Sequence, residues 1–417
     1  MEVTRIEPLR SPPRATLRPP GSKSITNRAL LCAALAEGRS TLRGALFAQD
    51  TRAMMDAVAM LGVKLRADQS RSTVEVDGTG GGRAPDGARI DARQSGTTSR
   101  FILPAASLGG TRVIVDGASQ LRSRPFAPLL DALAQLGVNV ESLGAPGFLP
   151  VAVTGPARGG DVRLAGHISS QFLSGLLMAA PLMEHGLRVQ LTSPLVSVPY
   201  VTMTLAVMRT FGVSADGLDV EPAAYRPAEL SIEPDASAAA YFFAAAAISG
   251  GRVTIEGLGA GSIQGDVAFV DVLERMGAKV ERGPGQITVT GSGTLHGVEA
   301  DMADISDTAQ TLAAVAVFAD APTRIGGIGF IRGKESDRIG DLATELRRAG
   351  IAVEVDDDGL TVTPGAVRPT RFRTYDDHRM AMSLALLGLR APGVEIEDPG
   401  CVAKTYPEFF VDLATLR

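Results

Sequence analysis

Apolar positions in this chain recur in helical stripes, and five of these stripes end on a glycine that precedes a strand-like alternation. The segments read LGVKL, LGVNV, FGVSA, MGAKV and AGIAV, and their glycines are Gly62, Gly137, Gly212, Gly277 and Gly350. A glycine just past a helix is typical of a left-handed C-terminal cap. Each of the five is therefore predicted to close a helix in front of a β-hairpin.

A second series of segments marks the beginnings of helices that are rich in alanine, leucine and methionine. Small or polar residues open these helices at Ser24, Gly96, Ser170, Ser237, Asp307 and His378. Both series repeat at intervals of about 70 residues, which indicates an internal repeat. The predicted unit is a strand, a helix, a second strand, a second helix and a hairpin, so the fold class is α/β.

The last of the six units lacks a glycine cap and a hairpin. The N-terminal segments VTRIEPL and RATLRPP resemble a hairpin, and we expect them to complete that unit. Two domains are predicted, because 417 residues exceed one ordinary core. One spans residues 21–233 and holds three units, while the other joins residues 1–20 to residues 234–417.

Composition limits the classes of partner. The net charge of −5 argues against nucleic acid or an anionic membrane as the main partner, because both attract basic proteins. Two cysteines and four histidines without paired spacing argue against a disulfide scaffold and a zinc site. The apolar stretches, such as residues 236–249, are too short to span a membrane, and no export signal is recognisable. We expect a cytoplasmic protein.

Basic side chains occur at the beginnings of several predicted helices, as in PPGSKSITNRALL. They are Lys23, Arg28, Arg100, Arg124, Lys334, Arg338, Arg379 and Lys404. A single cation near a helix is usually a solvated surface residue. Helix N-termini bind anions, however, and a cation there opposes the helix dipole, so its repeated placement favours anion binding. If equivalent helices of the units are arranged alike, their N-termini converge and predict an anion-binding face in each domain, with the site in the cleft between the domains.

Few acids accompany these cations, and each has a structural alternative. Asp307 is a candidate base or a helix cap, and Glu335 is a candidate acid or a surface partner of Lys334. His378, which follows Asp377, is a candidate site residue or a core histidine. Ser169, Ser170 and Gln171 suit a polyol or phosphate, although serines also cap helices.

Ten collinear segments resemble the 5-enolpyruvylshikimate-3-phosphate synthase family over essentially the whole chain. They are PGSKSITNRALL, SGTTSR, RSRP, SSQFLSGLLMAAPL, SVPY, DASAAAYFFAAAAI, SIQGD, GKESDR, YDDHRMAMS and DPGCVAKTYP. The resemblance implies two inverse α/β barrels, each built from three βαβαββ units. It also implies transfer of the enolpyruvyl group of phosphoenolpyruvate to the 5-hydroxyl of shikimate 3-phosphate, by a monomer without a metal or organic cofactor and sensitive to glyphosate.

The resemblance also implies roles for individual residues. Asp307 would accept the proton of the 5-hydroxyl, Lys334 would lie beside that hydroxyl, and Glu335 would protonate the methylene carbon with help from Lys23. Shikimate 3-phosphate would be bound by Lys23, Ser24, Arg28, Ser169, Ser170, Gln171, Ser197, Tyr200, Asp307 and Lys334. Phosphoenolpyruvate would be bound by Lys23, Gly96, Thr97, Arg124, Gln171, Arg338, Arg379 and Lys404.

Some positions depart from the family pattern, and two other functions stay open at this point. Gln94, Phe101, Val198 and Phe330 replace residues usual in the family, which affects the finer substrate contacts. One alternative is the sister transferase acting on UDP-N-acetylglucosamine, but the segment DGASQLRSRP lacks the reactive cysteine usual there. The other is a non-catalytic protein that binds phosphosugars or RNA ends, and the set Asp307, Lys334 and Glu335 argues against it.

Overall fold

The computed structural model describes residues 2–82 and 84–417, and the chain forms two compact units. The discontinuous unit comprises Met1–Pro20 and Glu233–Arg417, and the continuous unit comprises Gly21–Ile232. Each unit has its own apolar core. No helix in the described residues has both the length and the apolar character needed to cross a membrane.

The chain begins with two strands of the discontinuous unit and then builds the whole continuous unit. The first two strands are β1 (Val3–Ile6) and β2 (Arg14–Leu17). The helices of the continuous unit are α1 (Lys23–Leu35), α2 (Gln49–Met60), α3 (Gly96–Ala106), α4 (Ser119–Arg122), α5 (Ala127–Gln135), α6 (Ser170–Ala179) and α7 (Val198–Thr210), with a 3₁₀ helix at Ala180–Leu182. Its strands are β3 (Glu37–Arg43), β4 (Lys64–Asp68), β5 (Thr73–Thr79), β6 (Ala88–Asp91), β7 (Arg112–Asp116), β8 (Asn139–Ser142), β9 (Val151–Thr154), β10 (Gly160–Leu164), β11 (Leu187–Leu191) and β12 (Glu229–Ser231).

The rest of the chain completes the discontinuous unit. Its helices are α8 (Ala236–Ser249), α9 (Phe269–Arg275), α10 (Ala309–Ala316), α11 (Gly340–Arg348), α12 (His378–Gly388) and α13 (Phe409–Ala414). Its 3₁₀ helices are Gly265–Ala268, Ala303–Thr308, Gly329–Gly333 and Pro399–Lys404. Its strands are β13 (Arg252–Glu256), β14 (Lys279–Arg282), β15 (Gln286–Thr290), β16 (Glu299–Asp301), β17 (Thr323–Gly326), β18 (Ala352–Val355), β19 (Leu360–Thr363), β20 (Thr370–Phe372) and β21 (Val394–Glu397).

Each complete repeat forms one small mixed sheet in which two parallel strands meet an antiparallel hairpin. In the continuous unit the strand orders are β12-β3-β5-β4, β6-β7-β9-β8 and β10-β11. In the discontinuous unit they are β2-β13-β15-β14, β16-β17-β19-β18 and β1-β21-β20. The hairpin predicted after Gly212 is reduced to the isolated bridges Leu187–Val220 and Asp216–Asp219.

The prediction for the N-terminal segments is correct for β1 and wrong for β2. β1 runs antiparallel to β21 and takes the hairpin position of the last repeat. β2 instead pairs in parallel with β13, as the first strand of the fourth repeat. The reason lies where the chain passes from one unit to the other. β2 directly precedes α1 of the continuous unit but stays in a sheet of the discontinuous unit, and β12 directly precedes α8 of the discontinuous unit but pairs with β3 of the continuous unit. Each of these strands therefore joins a sheet of the unit that the chain is about to leave.

The predicted repeat and the α/β class are confirmed. The first helices begin within two residues of the predicted positions, and Gly62, Gly137, Gly212, Gly277 and Gly350 all have positive φ. The largest shift is at Asp307, which lies in the 3₁₀ helix Ala303–Thr308, two residues before α10, because the backbone kinks at Ile305. This short helix separates Asp307 from the regular helix that was expected to begin there.

The first helix of each repeat is buried, so polar groups at its N-terminus need defined partners. In α1 every residue from Ile25 to Leu35 is buried, and in α8 only Ser249 is not. A helix with no wide polar face has to lie inside a core. Polar side chains brought inside on such helices are costly unless they are hydrogen-bonded. Their partners define the candidate site.

Candidate active site

Asp377 organises the beginning of α12 in the discontinuous unit. It is the N-cap, and its Oδ1 accepts a hydrogen bond from the backbone N–H of Arg379 at 2.9 Å. Its Oδ2 accepts from Nε of Arg338 at 2.8 Å and from the hydroxyl of Ser336 at 3.0 Å. Asp377 is fully buried, and these bonds satisfy its carboxylate inside the protein.

Arg338 contacts three carboxylates although it is only 2% exposed. Beyond Asp377, its Nη2 lies 2.9 Å from Oε2 of Glu335, and its Nη1 donates to Oδ1 of Asp307 at 3.2 Å. Burial opposes the charge of Arg338, but the carboxylates of Asp377, Glu335 and Asp307 outweigh it and raise the pKa of Arg338 above its usual value. The guanidinium therefore holds the acids of the site in place.

Arg379 and Lys404 complete a group of alternating charges. Nη2 of Arg379 donates to Oδ2 of Asp307 at 2.6 Å, and Nζ of Lys404 lies 3.6 Å from Oε1 of Glu335. Lys404 is 1% exposed at the end of the 3₁₀ helix Pro399–Lys404. We call this group the ion-pair cluster, and its members are Asp307, Glu335, Arg338, Asp377, Arg379 and Lys404.

The ion-pair cluster contains two carboxylates that are only partly exposed, those of Asp307 and Glu335. Both oxygens of Asp307 face guanidinium groups, and its side chain keeps 18% of its surface exposed. Glu335 is 9% exposed and pairs with Arg338 and Lys404, so it is not an ordinary surface acid. An ionised carboxylate can accept a proton and a protonated carboxyl group can donate one, so either acid can take part in proton transfer.

His378 and Lys334 lie close to this cluster. His378 is buried, and burial, followed by the charge of Arg379, holds the pKa of its imidazole well below the usual value. It is therefore neutral at pH 7. Nζ of Lys334 lies over the ring of Phe330, 5.7 Å from its centre, so the departure from the family pattern at Phe330 directly touches a predicted site residue.

In the continuous unit, Arg28 is held by hydroxyl and carbonyl oxygens. Its Nε donates to the hydroxyl of Thr204 at 2.7 Å, and its Nη2 donates to the hydroxyl of Ser174 at 3.4 Å. Backbone carbonyls accept the remaining bonds, that of Ser24 at 2.9 Å and that of Tyr200 at 3.1 Å. Burial lowers the pKa of Arg28 to about 10, so it stays protonated at neutral pH.

Gln171 lies at the N-terminus of α6 with Ser169 and Ser170, and Ser197 precedes α7. The remaining predicted serine, Ser24, is the second residue of α1. Ser169 caps α6 and accepts from the backbone N–H of Gln171 at 3.3 Å, so it acts as a structural cap. Oε1 of Gln171 accepts from Nη1 of Arg100 at 2.8 Å. Ser170 is buried beside them, and Ser197 precedes α7 in a left-handed conformation with φ of 53°. Tyr200 lies in the first turn of α7.

Gly96 and Arg124 are direct neighbours at the N-terminus of α3. Ser95 caps this helix, so Gly96 and the buried Thr97 form its first turn. A Cβ on Gly96 would lie 2.8 Å from Nη1 of Arg124, which is itself 5% exposed. The absence of a side chain at Gly96 thus makes room for the guanidinium.

Lys23 is the first residue of α1, and its Nζ lies 3.8 Å from Oδ2 of the buried Asp50.

Several partners were missed because their sequence signals are those of ordinary core residues. Thr204 and Ser174 lie within helices that read as apolar, and Asp50 occurs in the unremarkable segment AQDT. The sequence places Asp377 directly before His378 but gives it no role in the site. Only its position directly before HRMAMS, as a helix cap, could have indicated it.

Comparisons with known proteins show the family of the chain. The family model described as EPSP synthase (3-phosphoshikimate 1-carboxyvinyltransferase) matches residues 9–413. The chain is 41% identical over 417 residues to the 3-phosphoshikimate 1-carboxyvinyltransferase of Trichormus variabilis, covering 98% of each chain. It is 44% identical over 419 residues to that of Thiobacillus denitrificans, covering 97% of each.

A solved structure extends the agreement to the fold. The EPSP synthase of Acinetobacter baumannii superposes with a TM-score of 0.82 at 26% identity, covering 100% of this chain and 98% of that one. The match therefore includes both units and all six repeats. The family model, the relatives and the fold lead to one conclusion: this chain belongs to the EPSP synthase family.

Proposed function

We propose that the ion-pair cluster is the acid and base centre of the EPSP synthase reaction, which this chain catalyses. The reaction transfers the enolpyruvyl group of phosphoenolpyruvate to the 5-hydroxyl of shikimate 3-phosphate and releases phosphate. One observation carries the assignment of roles: the carboxylate of Asp307 lies between the guanidinium groups of Arg338 and Arg379. A positioned carboxylate beside preset cations suits general base catalysis on an anionic substrate.

In this proposal Asp307 and Glu335 move the protons. Asp307 accepts the proton of the 5-hydroxyl as its oxygen bonds to C2 of phosphoenolpyruvate, and Glu335 donates a proton to the C3 methylene. The product of this step is a tetrahedral ketal that still carries phosphate. Loss of a proton from the new methyl group and departure of phosphate then give the enolpyruvyl ether. Lys334 neighbours the 5-hydroxyl, and Lys23 assists Glu335.

The two substrates are assigned to different sets of residues. Shikimate 3-phosphate binds Lys23, Ser24, Arg28, Ser169, Ser170, Gln171, Ser197, Tyr200, Asp307 and Lys334. Phosphoenolpyruvate binds Lys23, Gly96, Thr97, Arg124, Gln171, Arg338, Arg379 and Lys404. These two sets draw on residues of both units. Guanidinium groups suit the carboxylate and phosphate groups of both substrates.

A phosphate-release assay tests this function against both alternatives. Purified protein is given phosphoenolpyruvate alone, with shikimate 3-phosphate, or with UDP-N-acetylglucosamine. We expect release only with shikimate 3-phosphate, together with enolpyruvyl product. Release with the nucleotide sugar would identify the sister transferase, and no release in any arm would favour a binding protein.

The enzyme is further proposed to act as a monomer in the cytoplasm. Both cysteines, Cys32 and Cys401, are free thiols, which suits a reducing compartment. Light scattering at the assay concentration should give the mass of one 43.3 kDa chain. A mass twice as large would contradict the monomer.

A further inference from the structure

The residues directly before the cap of α12 have an unusual backbone. Tyr375 and Asp376 both lie in the left-handed region, with φ of 55° and 54°. Aspartate adopts this conformation fairly often, but a bulky side chain such as tyrosine does so rarely. Asp377 follows at once, and its carboxylate binds Arg338 and the backbone of Arg379. The conformation of Tyr375 therefore helps to set where the cap of α12 lies.

Glu345 on α11 holds this segment from two sides. The hydroxyl of Tyr375 donates to its Oε1 at 2.9 Å, and the backbone N–H of Arg373 donates to its Oε2 at 3.1 Å. Arg348 also pairs with Oε2. The Glu345 side chain is fully buried. Burial of the Tyr375 hydroxyl, followed by the hydrogen bond and the charge of Glu345, raises the pKa of Tyr375 to about 12. The reaction proposed above assigns no role to the carboxylate of Glu345.

The spacing along α11 connects this contact to the ion-pair cluster. Glu345 follows Arg338 by seven residues, which is two helical turns, and the hydrogen bond from Asp341 N to Asp337 O shows that the helical path begins before Gly340. The segment 373–377 is thus fastened to 338–345 at two points. One is the pair of Arg338 with Asp377, and the other is Glu345 with Tyr375 and Arg373.

We propose that Glu345 and Tyr375 are positioning residues for phosphoenolpyruvate. Their contact keeps Tyr375 in its left-handed conformation, which places Asp377 so that it orients Arg338 and the first turn of α12 with Arg379. Neither residue touches substrate in this scheme. The inference rests on the proposed function, because it assumes that Arg379 binds phosphoenolpyruvate.

The test compares Michaelis constants for the two substrates in Tyr375→Phe and Glu345→Gln. Tyr375→Phe removes one hydroxyl, and we expect KM for phosphoenolpyruvate to rise about fivefold, with KM for shikimate 3-phosphate and kcat changed by less than about twofold. Glu345→Gln should raise the same constant further, by about tenfold, because an amide cannot accept from both Tyr375 and Arg373 as the carboxylate does.

Two further variants make the outcome decisive. Tyr225→Phe is the control, because the hydroxyl of the buried Tyr225 also donates a hydrogen bond, to the carbonyl of Met178 in the other unit. It should lose similar thermal stability without changing either KM. Arg379→Gln tests the phosphoenolpyruvate site itself and should raise that KM.

The possible failures are distinguishable. A raised KM in Arg379→Gln with none in Tyr375→Phe and Glu345→Gln would overturn the positioning role alone. Parallel changes in both Michaelis constants, or an equal change in Tyr225→Phe, would also overturn it, because they indicate a general loss of structure. An unchanged KM in Arg379→Gln would reject the proposed phosphoenolpyruvate site and the positioning role together.

Discussion

Arg338 in the discontinuous unit and Arg28 in the continuous unit are both almost completely buried, but their partners differ and their pKa values shift in opposite directions. Carboxylates surround Arg338 and raise its pKa, whereas Arg28 meets hydroxyl and carbonyl oxygens and burial lowers its pKa to about 10. A cation paired with acids fixes the positions of those acids and compensates their charge. A cation held by neutral oxygens retains an uncompensated charge, which favours an anionic ligand. Burial alone therefore does not set the role of an arginine, because its partners differ between the two units.

The largest effect should follow from removing the base in the discontinuous unit. Asp307→Asn keeps the size of the side chain but cannot accept the proton, so kcat should fall by roughly 10²–10⁴ with KM for shikimate 3-phosphate nearly unchanged. Steady-state phosphate release measures both. Asp304→Asn, an exposed aspartate of the same 3₁₀ helix, is the matched control. Near-normal turnover in Asp307→Asn would leave Asp307 a purely structural role.

Removing a cation from the same cluster should act on binding. Lys404→Ala deletes a buried charge beside Glu335, and we expect KM for phosphoenolpyruvate to rise about 10- to 100-fold, the usual range for a lost charged hydrogen bond. KM for shikimate 3-phosphate should change little. The exposed Lys279 provides the control Lys279→Ala. A loss confined to kcat would show that Lys404 acts in the chemical step.

A methyl group at Gly96 tests the anion-binding side. In Gly96→Ala the new Cβ meets Nη1 of Arg124 at 2.8 Å, so the guanidinium has to shift. We expect KM for phosphoenolpyruvate to rise a few-fold and inhibition by glyphosate, which is slightly longer than the substrate, to weaken about tenfold or more. Gly110→Ala, where a Cβ meets nothing within 4 Å, is the control. Parallel inhibition curves for the parent and Gly96→Ala would contradict this account.

The free energy of unfolding should depend on pH through one histidine of the discontinuous unit, His378. Burial holds the pKa of His378 below that of the unfolded chain, so its contribution is present above pH 6.5 and is lost as the pH falls below it. The slope from this group is at most about 1.4 kcal/mol per pH unit. His167, His185 and His296 are exposed. Urea midpoints at pH 7.5, 6.5 and 5.5 should decline less in His378→Asn, and equal declines would refute the assignment.

The smallest effect should come from a hydroxyl that supports Arg28. Thr204→Val removes the acceptor of Nε, and we expect a loss of about 1–2 kcal/mol in the free energy of unfolding. KM for shikimate 3-phosphate should rise about threefold, because the other contacts of Arg28 persist. Thr210→Val, an exposed position on the same helix, should change neither quantity. An unchanged KM in Thr204→Val would show that Thr204 only stabilises the fold.

The repeat, the α/β class and the cations at helix beginnings could be predicted from sequence because they depend on neighbours in the chain. Helical periodicity, a glycine such as Gly62 after a helix and a cation such as Lys23 at its first residue are local features. Each is decided by the energetics of one turn or one cap. The family resemblance added the reaction, because its motifs occur in the same order along the chain.

Only the tertiary structure decided which charges meet. Asp377 pairs with Arg338 across 39 residues, and Arg28 meets Thr204 across 176. The choice of sheet for β2 and β12 is equally non-local. The residues of each segment favour an extended strand, but they do not specify the sheet that the strand joins. A polar residue on an apolar helix has the same sequence signal whether it faces an acid, a hydroxyl or a carbonyl. The sequence therefore determined which helices begin with cations. The packing of distant helices determined whether each cation pairs with carboxylates or with neutral oxygens.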